Sequence, residues 1–113
     1  MMKKFIIFTI IAAVLSGLFF GCRTIQPELA KAYSDRGRNE LIFDNYKGAI
    51  EDFTKAIEFN PEDTDLYVGR GLAYLKNGDN EAAKSDFDKA ISLDPSMEKI
   101  LKPLLSPAQT TSR

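Results

Sequence analysis

The most constraining feature of this 113-residue sequence is that its central part occurs twice. Shifting residues 30–63 by 34 positions places them on residues 64–97 without a gap, and eleven positions are then identical. A repeat of this length is typical of a supersecondary unit that stacks on a copy of itself. The identical pairs are Tyr33 and Tyr67, Arg36 and Arg70, Gly37 and Gly71, Leu41 and Leu75, Ala49 and Ala83, Asp52 and Asp86, Phe53 and Phe87, Lys55 and Lys89, Ala56 and Ala90, Ile57 and Ile91, and Pro61 and Pro95.

Each copy has the residue pattern of a helical hairpin. In the second copy, small or apolar residues recur at helical spacing from Tyr67 to Leu75 and again from Ala82 to Ile91. Between the helices, Gly78 stops the first one and Asp79 supplies an N-cap for the second. The pattern therefore predicts two antiparallel helices in each copy.

The helix ends are marked in both copies. In the first copy, Asp44 and Asn45 occupy the turn, and we expect them to cap the helix that follows. The second helices end at Asn60 and Asp94, because the proline that follows each of them disfavours the α conformation in the preceding residue.

A glycine inside the first helix of each copy indicates close helix packing. Gly37 and Gly71 each cost about 1 kcal/mol relative to alanine in a helix interior. Because they lack a Cβ, the second helix can approach closely, with Phe53 and Phe87 filling the space one turn away. These positions specify the fold and say little about a ligand.

This pattern resembles the tetratricopeptide repeat. The family asks for a large residue, a glycine, an alanine, an aromatic residue, a second alanine and a proline at fixed positions, and both copies meet all six. The resemblance implies an all-α fold of two TPR helix-turn-helix repeats, which form a short right-handed solenoid. The matching residues are Tyr33, Gly37, Ala49, Phe53, Ala56 and Pro61 in the first copy and Tyr67, Gly71, Ala83, Phe87, Ala90 and Pro95 in the second.

Departures from the pattern indicate where the stack ends. Glu40 stands where the second copy has Tyr74, and a polar residue there fits a terminal repeat whose outer face meets solvent. After Met97 an apolar helix begins again, but Pro103 prevents its regular continuation. We therefore expect a short C-terminal capping helix. The predicted organisation is a signal peptide over 1–21, a linker over 22–29, repeats over 30–63 and 64–97, a capping helix over 98–105 and a disordered tail over 106–113.

The N-terminal residues have the layout of an export signal. Lys3 and Lys4 precede sixteen residues without a charge, 5–20, and Gly21 and Cys22 follow. The end of this stretch resembles the lipobox of bacterial lipoproteins, with the small residue that the pattern requires at Gly21. The resemblance implies cleavage before Cys22, with a covalent diacylglycerol and an N-acyl lipid on Cys22 as the only attached groups and no other cofactor.

A further interpretation of this region stays open. Phe19 and Phe20 are bulkier than the lipobox usually has, so the segment can instead remain uncleaved as a membrane anchor, with Cys22 as a small hydrophobic residue at its end. If the chain is a lipoprotein, we expect it on the exported side of a membrane in a bacterial cell envelope. Arg23 in place of aspartate favours the outer membrane over the inner one in a Gram-negative bacterium.

Composition argues against catalysis, metal binding and nucleic-acid binding. The chain has no His and one Cys, which removes the commonest general acid/base and the usual transition-metal ligands. The net charge is −1 with the signs interspersed, so no basic stripe for nucleic acid is present. The acidic residues Glu62, Asp63 and Asp65 are explained by helix capping rather than by a metal. We predict that the protein is not an enzyme.

The resemblance also implies where a partner binds. In the family the ligand groove is lined by the first helix of each repeat, and such a mixed polar and apolar strip suits a peptide segment. The alternative is that these positions are ordinary solvated helix faces. Carried over position by position, the groove residues are Lys31, Ser34, Asp35, Arg38, Ile42, Asp65, Val68, Gly69, Leu72 and Lys76.

A special form of this groove binds the C-terminal carboxylate of chaperones through five fixed polar residues. Here those positions hold Ser34, Arg38, Gly69, Lys99 and Pro103, which match at one of five. The sequence therefore argues against a carboxylate clamp.

Two functions follow from these observations. The first is a membrane-anchored adaptor or scaffold that holds another envelope protein or peptide segment. The second is a structural envelope lipoprotein that associates only with itself, because two repeats are fewer than the three usually needed for a continuous core.

Overall fold

The computed structural model describes residues 25–106, which form helical hairpins and no strand. Helices α1, Pro27–Ile42, and α2, Tyr46–Phe59, form the first hairpin. Helices α3, Thr64–Lys76, and α4, Asn80–Leu93, form the second. Helix α3 contacts both α2 and α1, so the hairpins stack side by side. The predicted all-α fold of two repeats is confirmed.

Helix α1 begins inside the segment predicted as a linker. Pro27 occupies the first turn, where a missing N–H costs nothing, and the carbonyl of Gln26 accepts a hydrogen bond from Ala30 at 3.0 Å. The N–H of Gln26 also donates to the carbonyl of Phe59 at 3.1 Å. The start of α1 is thereby fixed to the end of α2, three residues before the predicted start of the first repeat.

The two hairpin turns share one backbone conformation. Asp44 and Gly78 both have a positive φ, 60° and 90° respectively, and in each turn the next residue's N–H bonds back to the preceding helix. Asn45 caps α2 as predicted, since its side chain accepts from Gly48 N–H at 3.3 Å. Asp79 stands at the N-cap of α4, but its carboxylate accepts from the Asn77 side chain instead of a helix N–H.

The ends of α2 and α4 agree with the sequence. The C-cap residues are Asn60 and Asp94, each followed by proline. Asp94 also accepts a hydrogen bond from the N–H of Ser96 at 3.0 Å, which starts the 3-10 turn Pro95–Met97. The proline positions thus set the length of both second helices.

The ring of Phe53 is the centre of the first hairpin and of the joint between the hairpins. Its side chain is 1% exposed. A Cβ added at Gly37 in α1 would lie 3.1 Å from this ring, and one added at Gly69 in α3 would lie 2.5 Å from it. One ring therefore packs against glycines of two different helices.

Phe87 plays the equivalent part in the second hairpin. It is completely buried, and a Cβ at Gly71 would lie 2.4 Å from its ring. The predicted role of Gly37 and Gly71 in close helix packing is confirmed, with the aromatic ring itself as the contacting group.

The C-terminal cap forms with a change of helix type. Helix α5, Glu98–Leu101, passes directly into a 3-10 helix at Lys102–Leu105, where Pro103 lacks the N–H that a longer α-helix needs. Leu101 is 1% exposed and packs in one cluster with Phe87 and Ala90 of α4. The segment covers the end of the second hairpin, as predicted for a cap over 98–105.

A repeated ion pair joins the helices of each hairpin. Arg36 donates two hydrogen bonds to Asp52, and Arg70 donates two to Asp86 at 2.8 Å each. Arg70 also donates to the hydroxyl of Thr54 in α2 at 3.1 Å, which links the two hairpins. Hydrogen bonding to Asp86 raises the pKa of Arg70 above its ordinary value, against the opposing effect of burial.

The glycine contacts predict unequal effects of adding a methyl group. Gly71→Ala should lower the free energy of unfolding by about 1–3 kcal/mol, because the new Cβ meets a buried ring that cannot move. Gly37→Ala should change it by less than about 1 kcal/mol, since a small shift relieves its contact and alanine favours the helix. Urea unfolding followed by circular dichroism measures both. A stabilised Gly71→Ala variant would contradict the packing described here.

The ion pairs predict a difference between the repeats. Arg70→Met should lower the free energy of unfolding by about 3 kcal/mol. The reason is that the Asp86 side chain is only 7% exposed and would lose its charge partner between the two hairpins. Arg36→Met should lower the free energy of unfolding by less. The side chain of Arg36 is 62% exposed at the end of the stack, so water can hydrogen-bond to Asp52 in its place. The same unfolding measurement applies, with Arg70→Met/Asp86→Leu as the control that removes the unpaired charge. Equal losses of unfolding free energy in Arg36→Met and Arg70→Met would show that burial between the hairpins adds nothing to the stability that the ion pair provides.

Candidate peptide-binding face

The predicted groove residues lie on neighbouring helices, α1 and α3. Eight of the ten form two rows along these helices. We call Lys31, Asp35, Arg38 and Ile42 the α1 row, and Asp65, Val68, Leu72 and Lys76 the α3 row. Since α3 contacts α1, the two rows run side by side.

The α1 row is a ladder of charges. Asp35 accepts a hydrogen bond from Lys31 Nζ at 2.7 Å and from Arg38 Nη1 at 3.0 Å. The hydrogen bond from Lys31 lowers the pKa of Asp35, with further contributions from the charges of Lys31 and Arg38 and with desolvation opposing them. Two cations share one anion, so the row keeps an excess positive charge.

The α3 row is apolar in the middle and charged at its ends. Val68 and Leu72 are half-buried and pack against the cluster that contains Tyr67 and Phe87. Asp65 is exposed in the first turn and Lys76 in the last turn of the helix. Among residues 25–106, Lys76 has no carboxylate within 4.0 Å. This row therefore offers an apolar floor beside a free ammonium group.

Two predicted groove residues do not contribute a side chain to this face. Ser34 is 4% exposed, and its hydroxyl donates to the carbonyl of Lys31 at 2.9 Å inside its own helix. Gly69 lies against the ring of Phe53, where a Cβ would not fit. Both positions serve helix packing, and the predicted groove is corrected to the other eight residues.

The end of α1 exposes two large apolar residues, one of which the sequence did not single out. Ile42 is 73% exposed and Phe43 is 81% exposed. The matching residues of the second hairpin are Lys76 and Asn77, which are polar. This contrast between the two turns was the available sequence signal for Phe43.

The described part of the chain also has an open hollow outside the two rows. An open hollow of about 470 Å³ between α1 and α2 is lined by Tyr33, Arg36, Ile50 and the polar residues that follow it in α2. In the part of the chain that the structure describes, no three His, Cys, Asp or Glu residues are placed to hold a metal ion. Asp63, from the acidic cluster, accepts a hydrogen bond from the N–H of Asp65 at 3.0 Å.

The N-terminal prediction falls outside the described residues. The signal peptide over 1–21, the lipid-bearing Cys22 and nearly all of the tail over 106–113 are not among residues 25–106. Within 25–106, no helix combines the length and the hydropathy needed to cross a bilayer.

Comparison with known proteins identifies the repeats. The family described as TPR repeat matches residues 44–78, and the family described as tetratricopeptide repeat matches residues 64–97. A protein SGT1 homolog from Oryza sativa subsp. japonica is 37% identical over 70 residues, which cover 62% of this chain and 19% of that protein. An Hsp70-Hsp90 organizing protein from Triticum aestivum is 33% identical over 74 residues, 66% of this chain and 13% of that protein. The chain thus spans about a fifth or less of the length of these relatives.

A solved structure shows the same fold. The first TPR of Spaghetti (RPAP3), bound to the HSP90 peptide SRMEEVD, superimposes with a TM-score of 0.67 and 22% identity. The superposition covers 77% of this chain and 74% of that one. Together with the two family matches, this shows that the chain carries tetratricopeptide repeats folded as a TPR domain.

Proposed function

We propose that the protein is a membrane-anchored, non-enzymatic adaptor that holds a peptide segment of another envelope protein against the α1 and α3 rows. The observation that carries this proposal is the combination found on α3, where the half-buried Val68 and Leu72 adjoin the ammonium of Lys76, which meets no carboxylate among residues 25–106. An apolar strip with a free cation at one end suits a segment with an apolar side chain followed by a carboxylate.

The names of relatives support peptide recognition in general. The structural neighbour holds a peptide from HSP90, and one relative is an Hsp70-Hsp90 organizing protein. A partner that binds through a short segment is therefore the natural occupant of the same face here. Nucleic acid is a poor candidate, because the two rows carry both signs of charge.

The geometry argues for a peptide different from SRMEEVD. Of the five positions compared with the chaperone clamp, Ser34 is buried, Gly69 packs on Phe53 and Pro103 lies in a 3-10 helix. Only Arg38 and Lys99 remain exposed with a donor group. We infer that this chain binds an internal segment through its apolar floor and not a terminal carboxylate through a polar clamp.

The two ends of the stack support an adaptor over a module that associates only with itself. At one end, α1 presents Asn39 and Glu40 where α3 has Ala73 and Tyr74. At the other end, the segment 98–105 covers α4 with the buried Leu101. The segment 98–105 thus occupies the end on which a further repeat would stack, and Asn39 stands where α3 packs Ala73 against α2.

The membrane anchor in this proposal is the lipid on Cys22. Its support is the sequence layout of two lysines, a charge-free stretch and a small residue before the single Cys. A diacylglycerol together with an N-acyl chain supplies the multiple acyl groups that stable anchoring needs. The protein would then work on the exported side of a bacterial membrane, the outer one if the cell is Gram-negative.

A photoreactive residue at Leu72 should crosslink in cells to a distinct exported protein. The same photoreactive residue placed at Lys84, whose side chain is 66% exposed on α4, should not capture that protein. Mass spectrometry of the crosslinked species identifies the partner. In the proposal Lys76 binds a carboxylate of the partner. Adding Lys76→Glu to the Leu72 probe should therefore reduce the yield of the crosslink about tenfold, which corresponds to about 1.4 kcal/mol of binding free energy.

Capture of a second copy of the chain from Leu72, with no other protein, would contradict the adaptor proposal and favour self-association. Lys47→Glu makes the same charge change at an exposed position of α2 outside both rows. It should leave the Leu72 crosslink unchanged.

Cys22→Ser should abolish incorporation of radiolabelled fatty acid and lead to accumulation of a larger precursor, because the thioether cannot form. Electrophoresis of cells grown with labelled palmitate measures both effects. A variant with unchanged size and unchanged membrane association would show instead that the segment 5–22 is an uncleaved anchor.

A further inference from the structure

The outward side of α1 carries a stripe of exposed side chains that neither row includes. We call Ile25, Leu29, Arg36 and Phe43 the outer stripe. Ile25 is 52% exposed, Leu29 is 42% exposed and Phe43 is 81% exposed, and the side chain of Arg36 is 62% exposed. Of the five large hydrophobic residues exposed among residues 25–106, four lie in α1 or next to its ends.

The second repeat shows that the part of this side around Arg36 is normally covered, whereas Asn77, the match of Phe43, is exposed there too. In α3 the corresponding side packs on α2, where Leu66 is 2% exposed, Ala73 is fully buried and Arg70 is 19% exposed. The equivalent residues of α1, Ala32, Asn39 and Arg36, are all exposed. The outer side of α1 is therefore a helix face without a partner in the described residues.

The spacing of the stripe makes it a continuous line. Leu29, Arg36 and Phe43 are seven residues apart, which is about two turns of 3.6 residues, so they project from the same side. Helix α1 has 16 residues and a length of about 24 Å. This side thus has apolar groups near both ends of the helix, with Arg36 and the partly exposed Glu40 between them.

The chain before α1 indicates what covers this stripe. Cys22 precedes Pro27 by five residues, which can span at most about 18 Å. If Cys22 carries the lipid anchor of the proposed function, the first turn of α1 is held at the membrane surface. Ile25 and Leu29 are then the first apolar side chains available to enter the interface.

We propose that the outer stripe of α1 rests on the lipid bilayer, with Phe43 as a second contact point at the far end of the helix. Because Leu29 and Phe43 share one side, a helix that lies along the bilayer on Leu29 also places Phe43 in the interface. This proposal rests on the membrane anchor of the proposed function and adds the orientation of the domain.

The charges near the stripe are compatible with a membrane surface. Arg36 donates to Asp52, so this carboxylate is neutralised, while the apolar stem of Arg36 can lie along the interface. Glu40 accepts a hydrogen bond from the side chain of Asn45. The contact needs little affinity of its own, because the lipid keeps the helix at high effective concentration beside the bilayer.

The same orientation keeps the candidate binding face accessible. Lys31 and Arg38 follow Leu29 and Arg36 by two residues, which places the α1 row about 200° around the helix from the stripe. A domain that rests on its outer stripe therefore turns the α1 row away from the lipid, toward an incoming partner.

Tryptophan provides a direct reporter, because the chain contains none. The full chain would be recovered from bacterial membranes and reconstituted in vesicles of phosphatidylethanolamine and phosphatidylglycerol with or without brominated acyl chains. Three single variants are compared, namely Leu29→Trp beside the anchor, Phe43→Trp at the second contact, and Asn77→Trp at the matching turn of the second repeat. Flotation of the vesicles measures anchoring in the same samples.

The expected result is that all three variants float, that Trp emission at positions 29 and 43 is blue-shifted and quenched by brominated lipid, and that emission at position 77 is not. Quenching at 29 without quenching at 43 would show that α1 stands away from the bilayer and would overturn the proposal while leaving the anchor intact. Equal quenching at 43 and 77 would overturn it as well, since no fixed orientation then exists.

Two other outcomes separate the remaining explanations. A blue shift at position 43 without quenching would show that protein, a second copy or a partner, covers the stripe, and would overturn the proposal. If the chain does not float with the vesicles, it has no membrane anchor. That result would contradict both the anchoring part of the proposed function and the orientation on lipid.

Discussion

The ring of Phe53, enclosed between Gly37 and Gly69, is the contact on which the rest of the structure depends. It sets the distance from α2 to α1 within the first repeat and from α2 to α3 in the second. Because the ring is 1% exposed and a Cβ at Gly69 would lie 2.5 Å from it, it cannot move aside for a larger residue on α3. The two glycines give up helix propensity for this packing. The positions of α1 and α3, and with them the two rows of the candidate binding face, follow from this one side chain.

The hydrogen-bonded ion pairs show how the position of a repeat in the stack changes the environment of an identical residue. Arg36 and Arg70 each hold an aspartate of the following helix through two hydrogen bonds, but Arg70 makes a third one to Thr54 of the preceding repeat. Its side chain is 19% exposed against 62% for Arg36. The same guanidinium is thus part of a joint in one repeat and part of the surface in the other. A repeat at the end of a stack has a free side that can serve another purpose.

Periodicity was sufficient to predict the hairpins, their turns and the proline-limited ends, because each depends on local residue preferences. It was also sufficient to place Phe53 and Phe87 against the helical glycines of their own repeats. It failed for Ser34 and Gly69, which the family pattern assigned to the groove. Ser34 turns its hydroxyl to its own helix, and Gly69 meets a ring from the other repeat. Contacts between repeats depend on how the hairpins stack, which a pattern within one repeat does not contain. Phe43 is exposed because it follows the end of the helix, a position that is also exposed in the second repeat, where it holds Asn77.

Helix α1 therefore has three distinct sides. One side is buried against α2 through Gly37 and the ring of Phe53, one carries the charged row that adjoins α3, and one carries the outer stripe. In an interior repeat the preceding helix would cover the middle of this third side, as α2 covers Leu66, Arg70 and Ala73 of α3. A two-repeat stack leaves it free, and a membrane anchor a few residues away places lipid within its reach. The small number of repeats, which limits the core, is then also what allows a single helix to contact a membrane on one side and a partner on another.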